Sequence, residues 1–325
     1  MKAAFPLRGL AIHPEEFDRE MLEMCTRAKL NHLSLHPVGG PGAAQSLEDA
    51  IAAHMLPESR ALRLEASARG IGLAYEAHAL SWLLPRSLFD RHPEWFRMDE
   101  RGERVREVNL CASCEEALAY VAGRMEWLAR LLDVGQSRYF YWLDDAAGTP
   151  CRCPDCRRLS PSDQQMRVVN AMLTGLRRAN PAAQLCYLAY GDALEPPRRV
   201  EPLPGVFLEY APFRRDFTRP LADPDCAQNR REIGPLRDLL ACFGAKGARV
   251  LEYWMDNSLY SGWKKPPKPL ALAEDVMAAD LELYDSLGFQ EIVSFGCYLG
   301  ADYRALYGDP PIERYGDLLY GVVRE

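Results

Sequence analysis

The chain has 325 residues and a mass of 36.7 kDa, with 48% apolar and 26% charged residues, enough to bury a full core and too apolar for a disordered or fibrous protein. Its 39 Lys and Arg against 46 Asp and Glu leave a formal charge of −7 with the basic residues scattered, so no nucleic-acid partner is expected. Apolar runs are strand-sized, far below the roughly 20 residues that cross a bilayer, and no membrane partner is expected either. No apolar signal-peptide core forms before Pro6 and Arg8 interrupt the opening residues, so the expected location is cytoplasmic.

One alternation runs from end to end: a short run rich in β-branched or aromatic residues, a polar loop, then helical spacing. In chain order, a strand over 7–13 precedes a helix over 14–28, and a strand over 32–37 precedes a helix over 57–69. The pattern continues with strand 72–78 and helix 115–132, then strand 139–145 and helix 162–179. A fifth strand, 184–190, is followed by a segment over 191–205 too Pro-rich for more than a helical turn. The last three pairs are 206–210 with 229–243, 249–254 with 271–287, and 291–296 with 312–323. Ser160, Pro161, Ser162 and Asp163 supply a start signal for the fourth long helix, and Gly244 and Gly288 are stop signals.

Eight strands with seven or eight crossovers in this length fit an α/β fold, a (β/α)8 TIM barrel over 1–325 as a single domain; a doubly wound sheet is the alternative. Long insertions are expected after strand three (79–113) and, rich in Cys, after strand four (146–161). The reactive face of such a barrel lies at the C-terminal strand ends. Residues falling there include Glu76 and His78, Asp144 and Asp145, Tyr190, Glu209 and Tyr210, Glu252, Tyr253, Trp254 and Asp256, and Tyr298. Carboxylates and flat aromatic faces suit a carbohydrate site, with stacking on sugar C–H groups and carboxyls for hydrogen bonds and proton transfer. His13 and His36 reach the same face, as buried or as functional groups. Phosphate-binding glycine loops and hydrolase elbows are lacking.

The segment Tyr139-Phe140-Tyr141-Trp142-Leu143-Asp144-Asp145 is an aromatic strand ending in two carboxylates. Neighbouring strand residues point to opposite faces, so the two differ in surroundings and hence in role: one held as an anion, the other a proton donor. The alternative is structural, with Asp145 capping its loop and Asp144 paired to an arginine such as Arg214 or Arg215. Glu209 and Tyr210 with those same arginines look like a carboxylate locked by guanidinium.

Of ten cysteines, Cys25, Cys186, Cys226, Cys242 and Cys297 stand singly and read as core residues. The remaining five gather in Cys111-Ala112-Ser113-Cys114 and Cys151-Arg152-Cys153-Pro154-Asp155-Cys156. Cys151, Cys153 and Cys156 with Cys111, or with Cys114 in its place, could ligate a structural zinc ion beside the aspartates; free thiols or one labile disulfide are the alternative. Four thiolates leave no open position, so no cofactor is expected in the chemistry itself.

The stretches His92-Pro93-Glu94-Trp95-Phe96, Gly102-Glu103-Arg104 and Asn109-Leu110-Cys111, then Asp145, the C-x-C-x-x-C run, Ser162-Asp163 and Asn170, resemble the domain of unknown function 4838 over about 85–260. That group is similar to endo-β-N-acetylglucosaminidases of glycoside hydrolase family 163. The opening Leu7-Arg8-Gly9-Leu10-Ala11-Ile12 is similar to the first barrel strand of family 20 hexosaminidases, which implies Arg8 as a sugar ligand. The resemblance implies a retaining glycoside hydrolase in which a 2-acetamido oxygen attacks the anomeric carbon. Asp144 would orient the amide and Asp145 would act as acid and base; the second carboxylate of the family 20 pattern is Glu, so Glu209 and Glu252 stand as alternative donors. A non-catalytic carbohydrate-binding barrel is the other expectation. Oligomeric state is not legible.

Overall fold

The computed structural model describes residues 5–321. Its strands are β1 (Leu7–Ile12), β2 (His32–Leu35), β3 (Gly72–His78), β4 (Arg138–Trp142), β5 (Gln184–Ala189), β6 (Val206–Tyr210), β7 (Arg249–Glu252) and β8 (Glu291–Phe295). They close in sequence order into a parallel barrel, each hydrogen-bonded to the next and β8 back to β1. The registers Gly9↔His32 and Leu7↔Glu291 fix β1 between its two neighbours. This is the (β/α)8 architecture expected from the alternation.

The helices are α1 (Arg19–Arg27), α2 (Ala43–His54), α3 (Pro57–Ala68), α4 (Leu80–Leu83), α5 (Glu115–Leu131), α6 (Pro161–Ala179), α7 (Ala227–Ile233), α8 (Leu236–Phe243), α9 (Asn257–Tyr260), α10 (Glu274–Ser286), α11 (Ala301–Tyr307) and α12 (Ile312–Tyr320). Ser160 caps α6 by accepting from the Asp163 N–H at 3.0 Å while Asp163 Oδ2 accepts from the Ser160 N–H at 3.2 Å, a reciprocal box at the start signal the sequence carries. The helix expected over 229–243 is two, because Gly234 and Pro235 interrupt it and proline has no N–H to continue the ladder. Among the described residues, no helix is long and apolar enough to cross a membrane.

The chain divides into two compact units, one built from the chain up to His36, Leu56–Ala74 and the chain from Glu209 on, the other from Pro37–Met55 and Tyr75–Leu208. In the second, α5 and α6 pack so closely that a Cβ on Gly175 would stand 2.0 Å from the Ala122 carbonyl oxygen. Glycine there lets the two helix backbones touch. In the first, a fully buried ion pair joins Arg249 Nη2 to Glu209 Oε1 at 2.7 Å. The guanidinium that locks Glu209 is therefore on the neighbouring strand, at the register Glu209↔Arg249, and is not Arg214 or Arg215. Cys25, Cys186, Cys226 and Cys297 are buried as expected of core thiols, but Cys242 is exposed near the end of α8.

Candidate functional site

The second unit carries the strand-four carboxylates. β4 ends at Trp142, so Asp144 and Asp145 start the loop beyond it, and there they part. Asp144 turns inward, its side chain 8% exposed, and Asp145 is exposed. Asp144 Oδ2 accepts from the Asn109 N–H at 2.6 Å and pairs with the Arg86 guanidinium, while the Asp144 N–H donates to Asn109 Oδ1 at 3.2 Å. Asn109 also donates through Nδ2 to Thr149 Oγ1 at 2.7 Å, tying the loop after β3 to the loop after β4. Its φ of +53° lies in the left-handed region, where asparagine is among the few tolerated side chains. Asp144 Oδ1 is enclosed and accepts no hydrogen bond.

Burial pulls the Arg86 guanidinium below its ordinary value and Asp144 pushes it back, which leaves it a cation at any working pH. Asp144 is thus committed to its neighbours. The arginine pairing that the sequence left open for Asp144 exists, but with Arg86, at the start of a short 3-10 turn, and not with Arg214 or Arg215.

Asp145 has different surroundings. Its Oδ1 accepts from Tyr190 Oη at 3.0 Å, and a Cβ on Gly39 would lie 3.5 Å from its Oδ2 and 3.0 Å from His78 Cδ2. Glycine at position 39 leaves room beside both side chains. His78 Nδ1 donates to the Leu143 carbonyl oxygen at 2.7 Å, which places a proton on Nδ1. Its ring meets Trp142 edge-on at 4.9 Å. His78, Trp142, Asp144, Gln165 and Tyr190 line a cavity of about 30 Å³, room for a water molecule and not for a sugar ring.

The same unit assembles the cysteines. Sγ atoms of Cys111, Cys151, Cys153 and Cys156 all lie within 4.8 Å of one another, and all four residues are buried. Cys114, which spacing alone could not separate from Cys111, stays outside the group, half-buried at the start of α5. The Cys151 and Cys156 thiols, with Arg104, hold the Cys111 thiol far below its ordinary value.

The remaining expected ligands fall elsewhere. Glu76 is fully buried on β3. In the first unit Arg8 lies at the N-terminal end of β1, its Nε and Nη2 both donating to the Lys29 carbonyl at 3.0 Å. That is the stability end of the strand, and the guanidinium is spent on backbone, so the sugar contact implied for Arg8 has no geometric support. Tyr210 donates to the Glu232 carbonyl at 2.9 Å inside the core. Tyr253 stacks on Phe295 at 5.2 Å, and Trp254 Nε1 donates to Asp280 Oδ2 at 3.0 Å; both rings are buried. Asp256 caps α9, accepting from the Ser258 N–H at 3.1 Å. Glu252 is enclosed by Arg215 Nη1 at 2.8 Å and Tyr284 Oη at 2.5 Å. Only Tyr298, half-exposed beside His13 with Lys265 4.7 Å from its ring, retains an open face. His13 is buried with Nδ1 on the His36 carbonyl at 2.9 Å.

Two residues that matter here, Arg86 and Asn109, carry no role in the sequence reading. Asn109 had one usable signal, an asparagine in a loop with no strand or helix around it.

None of the curated proteins matches the chain. Among solved structures it is similar to a catalytic mutant of Gan42B, a GH42 β-galactosidase from G. stearothermophilus, with a TM-score of 0.56 and 13% identity over 99% of this chain and 58% of that one. A structure described as a glycoside hydrolase matches with a TM-score of 0.54 and 14% identity over 98% of this chain and 100% of that one. An O-GlcNAc hydrolase mutant from Thermobaculum terrenum matches with a TM-score of 0.54 and 11% identity, over 97% and 59%. The chain spans less than two thirds of Gan42B and of the Thermobaculum enzyme. At such identities the likeness establishes the barrel. The model of DUF4838, a domain of unknown function, matches residues 55–234, more than half of the sequence, and the chain belongs to that family.

Proposed function

We propose that the chain is a glycoside hydrolase acting next to an N-acetylhexosamine, with Asp145 as the proton-transfer group. The observation that carries this reading is the division of labour at the end of β4: one carboxylate is spent on Arg86 and Asn109, the other is exposed and steadied by Tyr190. An exposed carboxylate at a C-terminal barrel end is where a leaving-group oxygen would be protonated. The matched structures described as a glycoside hydrolase and an O-GlcNAc hydrolase share the fold and favour this chemistry over others that barrels perform.

In the substrate-assisted form, the acetamido oxygen bonds to the anomeric carbon as the glycosidic C–O bond breaks. Asp145 gives its proton to the departing oxygen, then takes one from the water that reopens the oxazolinium, so configuration is retained. Asp144, its Oδ2 occupied and Oδ1 enclosed, does not reach the sugar; it is a positioning residue for the strand end. The resemblance of the sequence motifs to family 163 endo-enzymes sets the substrate panel.

The test is turnover of an aryl N-acetyl-β-glucosaminide and of a released N-glycan by the wild type and Asp145→Asn, with circular dichroism as the folding control. Cleavage by the wild type and a loss of about 10²- to 10⁴-fold in the folded variant is the expected result. Absence of turnover with retained glycan affinity would overturn it in favour of a binding barrel. The burial of Tyr253 and Trp254, where a sugar platform was expected, counts against that second reading.

A further inference from the structure

We propose that Cys111, Cys151, Cys153 and Cys156 are the four thiolate ligands of a tetrahedral divalent metal ion of the zinc class, and that this centre positions Asp144 through Asn109. The positioning half rests on the functional reading above; the metal half stands without it.

Four sulfurs from separate stretches of loop meet in one buried place. Cys111 Sγ lies 3.6 Å from Cys153 Sγ and 3.9 Å from Cys156 Sγ. A tetrahedron with Zn–S bonds of about 2.3 Å puts its corners about 3.8 Å apart, so these separations are those of ligands around one ion. They are far too long for disulfides, which need about 2.05 Å.

The surroundings are built for thiolates. The Met98 N–H donates to Cys151 Sγ at 3.3 Å and the Cys156 N–H to Cys153 Sγ at 3.5 Å. The Arg104 guanidinium hydrogen-bonds Cys111 and is itself anchored through Nη1 to the Phe96 carbonyl at 2.6 Å. Four thiolates around a dication carry a net double negative charge, and these donors offset it. Gln164 of α6 frames the loop: its Oε1 accepts from the Cys151 N–H at 2.8 Å, and its Nε2 donates to the Cys151 and Cys156 carbonyls at 3.2 and 3.0 Å. A filled sulfur set offers no position for water or substrate, so the centre is structural.

Its reach to the carboxylates is short. Asn109 precedes Cys111 by two residues and clasps Asp144, while Thr149, two residues before Cys151, receives the Asn109 side chain. The metal would thus fasten both loops that frame Asp144.

Metal content of the reduced, purified protein, followed by exchange with Co2+, tests the first half. About one zinc per chain, and a cobalt form with intense thiolate charge-transfer bands and tetrahedral visible bands, is expected. Cys153→Ser should lose the metal and Cys114→Ser should keep it. Should Cys153→Ser fail to fold, the wild-type cobalt spectrum still decides. Absence of stoichiometric metal both as purified and after adding Zn2+ or Co2+ to reduced protein would overturn the site. For the second half, hydrogen exchange of peptides covering 105–113 and 143–156 is compared with and without zinc. Faster exchange there after stripping, reversed by Zn2+ while the barrel strands stay protected, is expected; unchanged exchange would overturn the positioning role. Neither readout uses turnover, so a failure of this proposal and a failure of the hydrolase reading are told apart, and the metal half stands even if the latter falls.

Discussion

Asn109 and Asp144 hold each other twice, the Asn109 N–H donating to Asp144 Oδ2 at 2.6 Å and the Asp144 N–H donating to Asn109 Oδ1 at 3.2 Å. The backbone at Asn109 is left-handed, so its replacement has separable costs. Asn109→Ala loses the side-chain hydrogen bonds to Asp144 and Thr149 and strains the backbone, and should destabilise by about 3 kcal/mol. Asn109→Gly loses the same bonds without the strain, and should cost about 1 kcal/mol less. Urea unfolding of the two variants measures the difference, and equal costs would mean that the left-handed geometry contributes nothing.

The ion pair beneath that clasp is mostly enclosed, with Arg86 19% and Asp144 8% exposed. Removing either charge leaves the other buried without its partner. Asp144→Asn and Arg86→Met should each destabilise by about 3 kcal/mol. The double variant should cost clearly less than the sum, because no orphan charge remains. Additive single costs in a double-mutant cycle would show that the pair is solvated and contributes little.

The strands were legible because each is a short apolar run whose period is unmistakable, and β6 coincides with its expected span. Helices of one or two turns, α4, α9 and α11, were not, since so few residues carry no period. Nor was α2, whose run of small residues at 43–54 shows only a weak apolar face. At the site, Asp144 and Asp145 were legible as the end of an aromatic strand. Arg86 was not, because it sits in a short 3-10 turn 58 residues earlier and nothing local marks its partner. Position at a strand end also misplaced Tyr253 and Trp254, since where a ring packs depends on helices far along the chain, as the bond from Trp254 to Asp280 of α10 illustrates. The cysteines were found by spacing, but only three-dimensional placement separates Cys111 from Cys114.

The contact of α5 with α6 makes a sharp test of packing. A methyl group on Gly175 would overlap the Ala122 carbonyl, and backbone cannot step aside as a side chain can. Gly175→Ala should destabilise by about 3 kcal/mol or more, despite the better helix propensity of alanine, worth about 1 kcal/mol. The melting temperature then falls. A stabilised variant would mean that the two helices part at little cost.

The buried group around Arg215 makes stability depend on pH. One guanidinium faces two carboxylates, Glu252 at 2.8 Å and Asp280 at 2.7 Å, all with side chains wholly enclosed, so ionising both would leave a net buried charge. Asp280 accepts from the Leu221 N–H at 2.6 Å and the Trp254 indole at 3.0 Å, whereas burial pushes Glu252 up to about 7. In the unfolded chain the same carboxyl titrates near its ordinary value of 4.5. Between those two values the folded state binds the extra proton, so stability is highest below the lower one and falls as pH rises through the interval, by about 3 kcal/mol in all. Glu252→Gln cannot ionise, so it should lack that decline. Comparing denaturant unfolding of the two proteins from about pH 4.5 to about pH 8, the wild type should lose about 3 kcal/mol relative to the variant. Parallel profiles would place the shared proton on another group.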